Sequence, residues 1–178
     1  VVEGHHGGGY DQGLASAVHL VELLNHRMDK IVRLVIAGDV PPRLKEQFKG
    51  VEFPIQWLGV VKRDQIPAFD RSAHMLFSTD VNAACPNAVI EALACGLPVI
   101  SFDTGSLPEL VTPQAGCIAP YGGNVWNLDK PDVYALADCA RQVLEAQGDY
   151  RKGARARAEQ AFSLDEMTKR YVNVLLDL

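Results

Sequence analysis

The sequence predicts an α/β fold with a doubly wound parallel sheet that helices cover on both faces. Three observations predict it. Apolar runs of strand length alternate with helical stretches along the chain, and no internal repeat is present. The run HMLFS at residues 74–78 is short and apolar, as in a strand that is covered on both faces. Two successive strand–turn–helix units include this run, so two helices begin at one edge of the sheet.

The first half of the chain predicts three strands, over residues 1–3, 31–37 and 55–58. A glycine-rich turn at residues 4–9 leads into the first helix, whose apolar residues recur at helical spacing: Leu14, Ala17, Val18, Val21 and Leu24. A short second helix spans residues 41–49. A third spans residues 63–73, with Asp64 as its cap.

The first strand–turn–helix unit of the central block begins with the strand at residues 74–78. Pro86 lacks a backbone donor and disfavours helical geometry in the residue before it, so the loop after the strand extends to this proline. Asn87 is interpreted as the N-cap of a helix over residues 88–94. Gly96 is suited to the left-handed conformation that ends such a helix.

The second unit repeats this order with a strand over residues 97–102. A turn at Thr104 and Gly105 follows, and Ser106 is interpreted as the cap of the next helix. Pro108 lies in the first turn of that helix, where its missing N–H is not needed. Both units therefore direct the start of a helix to the same edge of the sheet.

The last part of the chain predicts a short strand at residues 116–119 and helices at 129–147 and 149–162. Ser163 and Glu166 form a capping box at the start of a final helix. That helix carries an apolar stripe of Leu164, Met167, Tyr171, Val174, Leu175 and Leu178. The stripe is first of all predicted to be core, and part of it is open to a second role as an interdomain face.

Composition excludes several classes of protein. The net charge is −5, which argues against nucleic-acid binding. The one basic run, at residues 151–157, is either a solvated helix face or a phosphate or membrane contact. No segment has the apolar length of a membrane span, and nothing resembles a signal peptide. The four cysteines show no C-x-x-C pair, which predicts reduced thiols, no zinc site and a cytoplasmic protein: Cys85, Cys95, Cys117 and Cys139.

The two helix starts predict the chemistry of a ligand. The carboxyl edge of an open parallel sheet is where such folds bind ligands, and helix N-termini present free N–H groups to anions. A phosphate-bearing ligand is therefore expected. Glu91 lies one turn into the first of these helices. It is either a carboxylate that binds the ligand or an acid whose negative charge the helix dipole stabilises. The adjacent His5 and His6 allow a metal site, but solvated loop histidines are the commoner case.

The central block also resembles a known family. The run Pro86-Asn87-x-x-x-Glu91-Ala92-x-Ala94-x-Gly96-x-Pro98-Val99, followed by Thr104-Gly105-Ser106-x-Pro108-Glu109, resembles the donor-binding signature of retaining glycosyltransferases of family 4, the glycosyl transferases group 1 type. The resemblance implies one Rossmann-like half of a two-domain GT-B enzyme. It implies a nucleotide-diphosphate sugar as substrate, no metal or cofactor, and an N-terminal Rossmann-like domain as partner. Residues 1–178 are thus expected to be a single domain of a longer chain, which agrees with a start that is not methionine.

The resemblance also implies roles for individual residues. The donor is expected to contact the following positions: Pro86, Asn87, Ala88, Val89, Gly105 and Ser106. Glu91 corresponds to the second glutamate of a Glu-x7-Glu pair that binds the ribose hydroxyls. Gly4-His5 and Gln12-Gly13 correspond to the positions that bind the diphosphate, and Val61 borders the base.

Three of these positions depart from the family pattern. Ala83 stands where the first glutamate of the pair is expected, and alanine cannot stabilise positive charge at the anomeric carbon. Asp80 is a candidate to replace that carboxylate from the same loop. His5 and Gln12 stand where cations would bind the diphosphate.

These departures leave three functions to distinguish. The leading hypothesis is the donor domain of a retaining glycosyltransferase. The second is a binding or regulatory module that has lost catalysis, which Ala83, His5 and Gln12 favour. The third is a nucleotide-sugar epimerase of the same shape, for which the sequence shows no additional acid–base residues. An N-terminal Rossmann-like domain in the full-length gene would favour transfer.

Overall fold

The computed structural model describes residues 1–4 and 11–176, and its strands form two parallel ladders. The first contains β1 (Val2–Glu3), β2 (Leu34–Ala37) and β3 (Ile55–Gly59). The second contains β4 (Leu76–Phe77), β5 (Val99–Phe102) and β6 (Gly116–Ala119). All four strand pairings within the ladders are parallel, as predicted.

The two ladders meet at β1 and β4. The N–H of Phe77 donates a hydrogen bond to the carbonyl of Val1 (2.9 Å), which gives the spatial order β3-β2-β1-β4-β5-β6. This is a doubly wound order whose direction reverses between β1 and β4. The predicted fold class is therefore confirmed, and the reversal marks the place where such sheets bind ligands.

The helices, in chain order, are α1 (Asp11–Arg27), α2 (Pro42–Gln47), α3 (Ile66–Ser72), α4 (Asn87–Ala94), α5 (Leu107–Leu110), α6 (Val133–Glu145), α7 (Gln147–Ala161) and α8 (Leu164–Leu175). A short 3-10 turn spans Val125–Asn127. One apolar core lies on the face covered by α1, α2 and α6, and includes Leu14, Ile36, Leu44 and Leu136. The other lies under α4, α5 and α7, and includes Leu93, Val99, Leu107 and Ala154.

Several helix ends follow the predicted local chemistry. Gly96 has φ +69° and ends α4. The N–H groups of Gly96 and Leu97 donate to the carbonyls of Leu93 and Ala92 (both 2.9 Å), the pattern of a Schellman motif. Ser163 caps α8 as predicted. The predicted cap Asp64 is wrong, because α3 begins only at Ile66 and its N-cap position is Gln65.

The thiol prediction is wrong for two of the four cysteines. Cys117 of β6 and Cys139 of α6 form a disulfide, whereas Cys85 and Cys95 are free. Helix α6 packs on β6, so two cysteines that are 22 residues apart face each other across the core. No spacing motif in the sequence indicates such a pair.

Helix α8 differs from its prediction as a core element. None of its residues is buried, and Leu164, Tyr171 and Val174 are 69%, 65% and 77% exposed. An apolar stripe on a solvated helix indicates a surface that packs on something else. The interdomain role therefore stays a prediction, and Leu178 lies outside the described residues. Among the described helices, none has both the length and the apolar character needed to cross a membrane.

Candidate functional site

The start of α1 lies directly against the loop that follows β4. A Cβ atom on Gly13 would be 2.5 Å from the Thr79 carbonyl oxygen and 2.7 Å from the Thr79 Cβ. Any side chain at this position would therefore push the two segments apart. Glycine thus lets the first turn of α1 lie against the β4–α4 loop, at the point where the strand order reverses.

The same loop lies against the turn that follows β5. The N–H of Ser106 donates to the Ala83 carbonyl (2.9 Å). Gly105 has φ +55°, and a Cβ there would collide with the Ala83 carbonyl oxygen and lie 2.7 Å from the Ala83 nitrogen. Asn82, with φ +58°, supplies the left-handed residue that turns the loop toward Gly105. The two turns predicted to share one edge of the sheet are therefore in contact.

Helix α4 begins with unpaired N–H groups. Asn87 is its first residue, Pro86 occupies the N-cap position, and no side chain caps it, so the prediction of Asn87 as the N-cap is wrong by one residue. Pro86 takes the extended dihedrals that a cap requires, with φ −74° and ψ 108°. Val89 donates to the Pro86 carbonyl (3.1 Å), whereas Asn87 and Ala88 donate to no described residue. These N–H groups lie at the positive end of the helix dipole.

The Gly105 turn has a similar unpaired donor, since the N–H of this exposed glycine has no acceptor among the described residues. Beneath it, the hydroxyl oxygens of Thr104 and Ser106 are buried and make no hydrogen bond within residues 1–4 and 11–176. Ser106 holds the predicted N-cap position of α5, but its side chain does not cap. An unpaired buried hydroxyl costs about 1–3 kcal/mol. The sequence placed Thr104 in this turn but did not show that its hydroxyl is buried, because burial follows only from the packing of the turn.

Glu91 is exposed in the second turn of α4. Its negative charge is one of the influences that raise the pKa of Glu3, so the two carboxyls lie within electrostatic reach of each other. The predicted ribose-binding residue is therefore accessible near the carboxyl end of β1, one helix turn from Asn87.

Glu3 and Asp70 form a buried acidic pair that sequence reasoning missed. Burial, together with the hydrogen bond to Asp70 and the charge of Asp70, raises the pKa of Glu3 from 4.5 to about 9. Burial also raises the pKa of Asp70, which is fully buried. The Cys95 thiol is a further hydrogen-bond partner of Asp70. Two carboxyls this close repel each other when both are ionised, so one proton between them is favoured. The pair therefore holds a proton at neutral pH.

Gln12 has a clear structural partner. Its amide nitrogen donates to the Asp129 carbonyl (2.9 Å) and the Tyr121 hydroxyl (3.3 Å), and the Tyr121 hydroxyl donates to the same carbonyl (2.6 Å). These bonds fix the loop after β6 against the start of α1. The Gln12 side chain, at a position predicted to bind the diphosphate, therefore makes its hydrogen bonds to residues of the same chain.

The remaining predicted residues occupy several places. Gly4 ends β1 with φ +123°, and its N–H donates to the Ala37 carbonyl (3.2 Å). Asp80 precedes Ala83 in the loop after β4, beside the two helix starts. Val61 lies just beyond the end of β3, the outermost strand of the first ladder. His5 lies outside the described residues.

A separate depression lies away from this edge. A depression of about 600 Å³ lies at the far end of α4, lined by Arg71, Cys95, Arg151, Lys152, Arg155 and Glu159. Near Gln12 and Thr79 the enclosed space is only about 10 Å³. The described residues near Gln12 and Thr79 therefore enclose little space. The described residues contain no group of three or more potential ligands that could hold a metal ion.

The family of the chain follows from its similarity to known proteins. Residues 6–146 match the family described as glycosyl transferases group 1. The chain belongs to that family. This glycosyltransferase-family chain is 30% identical over 129 residues to a GDP-mannose-dependent alpha-(1-6)-phosphatidylinositol dimannoside mannosyltransferase of Mycobacterium tuberculosis, a match that covers 71% of the chain and 31% of the relative. It is 28% identical over 147 residues to the phosphatidylinositol N-acetylglucosaminyltransferase gpi3 subunit of Schizosaccharomyces pombe, covering 80% and 30%.

A solved structure shows the same fold. Alr3699/HepE of Anabaena, crystallised in complex with UDP, matches with a TM-score of 0.73 at 19% identity, over 99% of this chain and 49% of that one. The predicted family and the predicted likeness to one half of a GT-B glycosyltransferase are confirmed. The chain spans about a third of the length of the curated relatives it matches.

Proposed function

We propose that this chain is the donor-binding domain of a retaining glycosyltransferase and binds a nucleotide-diphosphate sugar at the carboxyl edge of its sheet. One observation carries the proposal. The Ser106 N–H bonds Ala83, four residues before α4, so the Gly105 turn lies against the loop that leads into α4, and the N–H groups of Asn87, Ala88 and Gly105 have no acceptor among the described residues. Two helix starts and a glycine turn in contact form a surface suited to a diphosphate.

The other parts of the donor are assigned around that surface. Glu91 accepts hydrogen bonds from the ribose hydroxyls, since its carboxylate is exposed one helix turn from the N–H groups. Pro86 and Val89 shape the start of α4, Gly4 contacts the diphosphate at the end of β1, and Val61 borders the base beyond the end of β3. The family resemblance assigns His5, outside the described residues, to the diphosphate. Gln12 contributes by fixing the loop at Tyr121 and Asp129.

Transfer is assigned to this chain together with a second domain, because the space enclosed by the described residues near Gln12 and Thr79 is only about 10 Å³. We assign the exposed apolar stripe of α8 to packing against that N-terminal Rossmann-like domain. In the assembled enzyme the acceptor approaches the sugar from the second domain, and the anomeric configuration is retained. Ala83, or Asp80 in its place, lies on the loop nearest the reacting carbon.

A calorimetric panel tests donor binding. The relatives are named for GDP-mannose and for N-acetylglucosaminyl transfer, and the similar structure holds UDP, so the panel contains GDP, UDP and ADP with their sugar conjugates. Saturable binding of one nucleotide diphosphate to the purified chain is expected. Lys152→Met, on the opposite edge, is the matched control and should bind equally. No binding to any member, in protein shown to be folded, would contradict the proposal.

A second candidate, a binding module that has lost catalysis, is favoured by Ala83 and by the internal hydrogen bonds of Gln12. It is tested in the full-length protein with the nucleotide sugar selected above. Ala83→Glu should raise turnover in an impaired enzyme, whereas Asp80→Ala should abolish activity if Asp80 is the replacement carboxylate. A missing carboxylate beside the reacting carbon lowers the rate by ~10²–10³. If the wild type, Ala83→Glu and Asp80→Ala all bind the donor but are all inactive, the result supports a binding module without catalysis.

A further inference from the structure

Helix α7 carries arginines that contact the ends of earlier helices. Arg151 donates to the carbonyls of Ala73 (2.9 Å) and Arg71 (3.1 Å), at the end of α3. Arg155 donates to the Ala94 carbonyl (2.5 Å), the last residue of α4. The last carbonyls of a helix have no partner within it and lie at its negative end, where a cation is favourable.

Arg157 makes the same kind of contact with α5. Its Nη2 donates to the Glu109 carbonyl (2.6 Å) and its Nε to the Leu110 carbonyl (3.1 Å), the last two residues of that helix. Its guanidinium also lies over the ring of Phe162, 5.2 Å from the centroid. Two of the arginines thus bind the ends of α4 and α5, which begin at the candidate site.

The packing of α7 keeps these contacts short. A Cβ on Gly153 would collide with the Gln114 carbonyl oxygen, so glycine lets α7 approach the α5–β6 turn closely. Ala154 and Ala158 are buried in the core that includes Leu93 and Leu107. Small residues on this face let α7 pack closely on its neighbours, and its arginines reach the main chain of α3, α4 and α5. The basic run is accordingly structural at Arg151, Arg155 and Arg157.

The lengths of the two helices connect this contact to the site. Helix α5 has four residues, so the contact with Arg157 lies about 6 Å along the helix from its start at Ser106. Helix α4 has eight residues, so the contact with Arg155 lies about 12 Å along the helix from its start at Asn87. A tilt of either helix at its far end moves the N–H groups that face the ligand.

We propose that Arg155 and Arg157 are positioning residues, which orient the starts of α4 and α5 for a nucleotide diphosphate. The proposal rests on the donor-binding function above. Arg157→Met removes two hydrogen bonds and should weaken nucleotide diphosphate binding about threefold to tenfold, because small misplacements of binding groups are costly. Arg157→Lys should be intermediate, since one ammonium replaces a fork of donors. Arg155→Met should weaken binding in the same direction.

The matched control is Lys152→Met. Lys152 is a cation on the same helix, and its ammonium bonds Asp149 of that helix (3.3 Å) and no other described residue. The variant has the same charge change as Arg157→Met and leaves the ends of α4 and α5 untouched. Unchanged affinity in Lys152→Met with weaker binding in Arg157→Met separates positioning from a general loss of positive charge.

The experiment combines calorimetry with hydrogen exchange, both well below the melting temperature of every variant. The calorimetric ligand is UDP or GDP, whichever the wild-type chain binds. Exchange of the Ser106 and Leu107 amides, which are bonded to Ala83 and Thr104, should be faster in Arg157→Met and unchanged in Lys152→Met. A lower melting temperature with unchanged affinity and unchanged exchange would overturn the proposal, as would equal weakening in both variants.

Two further outcomes are separable. If the wild-type chain binds none of GDP, UDP and ADP, the donor-binding function fails, and amide exchange alone decides whether Arg157 fixes the turn. If Arg157→Met does not fold, Arg157→Lys and Arg155→Met carry the same comparison, and equality of both with wild type in exchange would overturn the proposal.

Discussion

The contact between Gly105 and Ala83 makes a quantitative prediction for Gly105→Ala. Gly105 has φ +55°, and its missing Cβ is the space that the Ala83 main chain occupies. A left-handed alanine costs about 1–2 kcal/mol, and the collision adds about 1–3 kcal/mol of overpacking. The expected loss of unfolding free energy is therefore about 2–5 kcal/mol.

Gly59→Ala separates the two contributions. Gly59 has φ +67°, but a Cβ there meets nothing within 4 Å, so only the backbone cost applies. The effect of alanine on the unfolded chain is common to both variants and cancels in the comparison. Gly105→Ala should therefore be less stable than Gly59→Ala by about 1–3 kcal/mol. Gly148→Ala, in the open first turn of α7, should not destabilise the protein.

Urea denaturation followed by circular dichroism measures these differences. A nucleotide titration of the same proteins tests the functional consequence, since displacing Ala83 separates the N–H of Gly105 from those of α4. Gly105→Ala should lose nucleotide affinity. Equal stability of the Gly105 and Gly59 variants would refute the packing argument, because the loop would then accommodate a side chain without cost.

Three other predictions address single groups. Glu91→Ala should weaken a nucleotide diphosphate by about 1.5–3 kcal/mol, because a charged acceptor is lost; unchanged calorimetric affinity would remove its ribose role. Stability should fall as pH rises between about 5 and 9, because folded Glu3 keeps a proton that the unfolded chain releases. Glu3→Gln should flatten that dependence in urea titrations, and an equal slope would contradict the buried pair. Without reductant the unfolded chain should show two thiols, and Cys139→Ser should cost about 2–4 kcal/mol of stability; four thiols would exclude the disulfide.

The sequence predicted the sheet and its ligand edge because both depend on local patterns. Alternating apolar runs identify the strands, and Gly96, Pro86 and Gly105 mark the turns through backbone chemistry alone. The start of α4 was displaced by one residue, since Pro86 supplied the cap geometry expected of Asn87. Boundaries of this kind depend on which residue first takes helical dihedrals.

What the sequence did not predict depends on contacts between distant segments. Asp70 meets Glu3, and Cys117 meets Cys139, only because helices pack on particular strands. Gln12 stands at a diphosphate position in the pattern, yet its amide binds the loop after β6, which no spacing rule indicates. The arginines of α7 have the composition of a basic patch, and only the folded chain shows that they bind main-chain carbonyls.

The most direct test of the central claim is the amide spectrum of the isotopically labelled chain during titration with UDP and GDP. The account predicts that the largest shift changes fall on Asn87, Ala88 and Gly105, whose N–H groups are unpaired at the carboxyl edge. Changes confined to the depression around Arg71, Arg151 and Lys152 would place the anion at the opposite edge and contradict it.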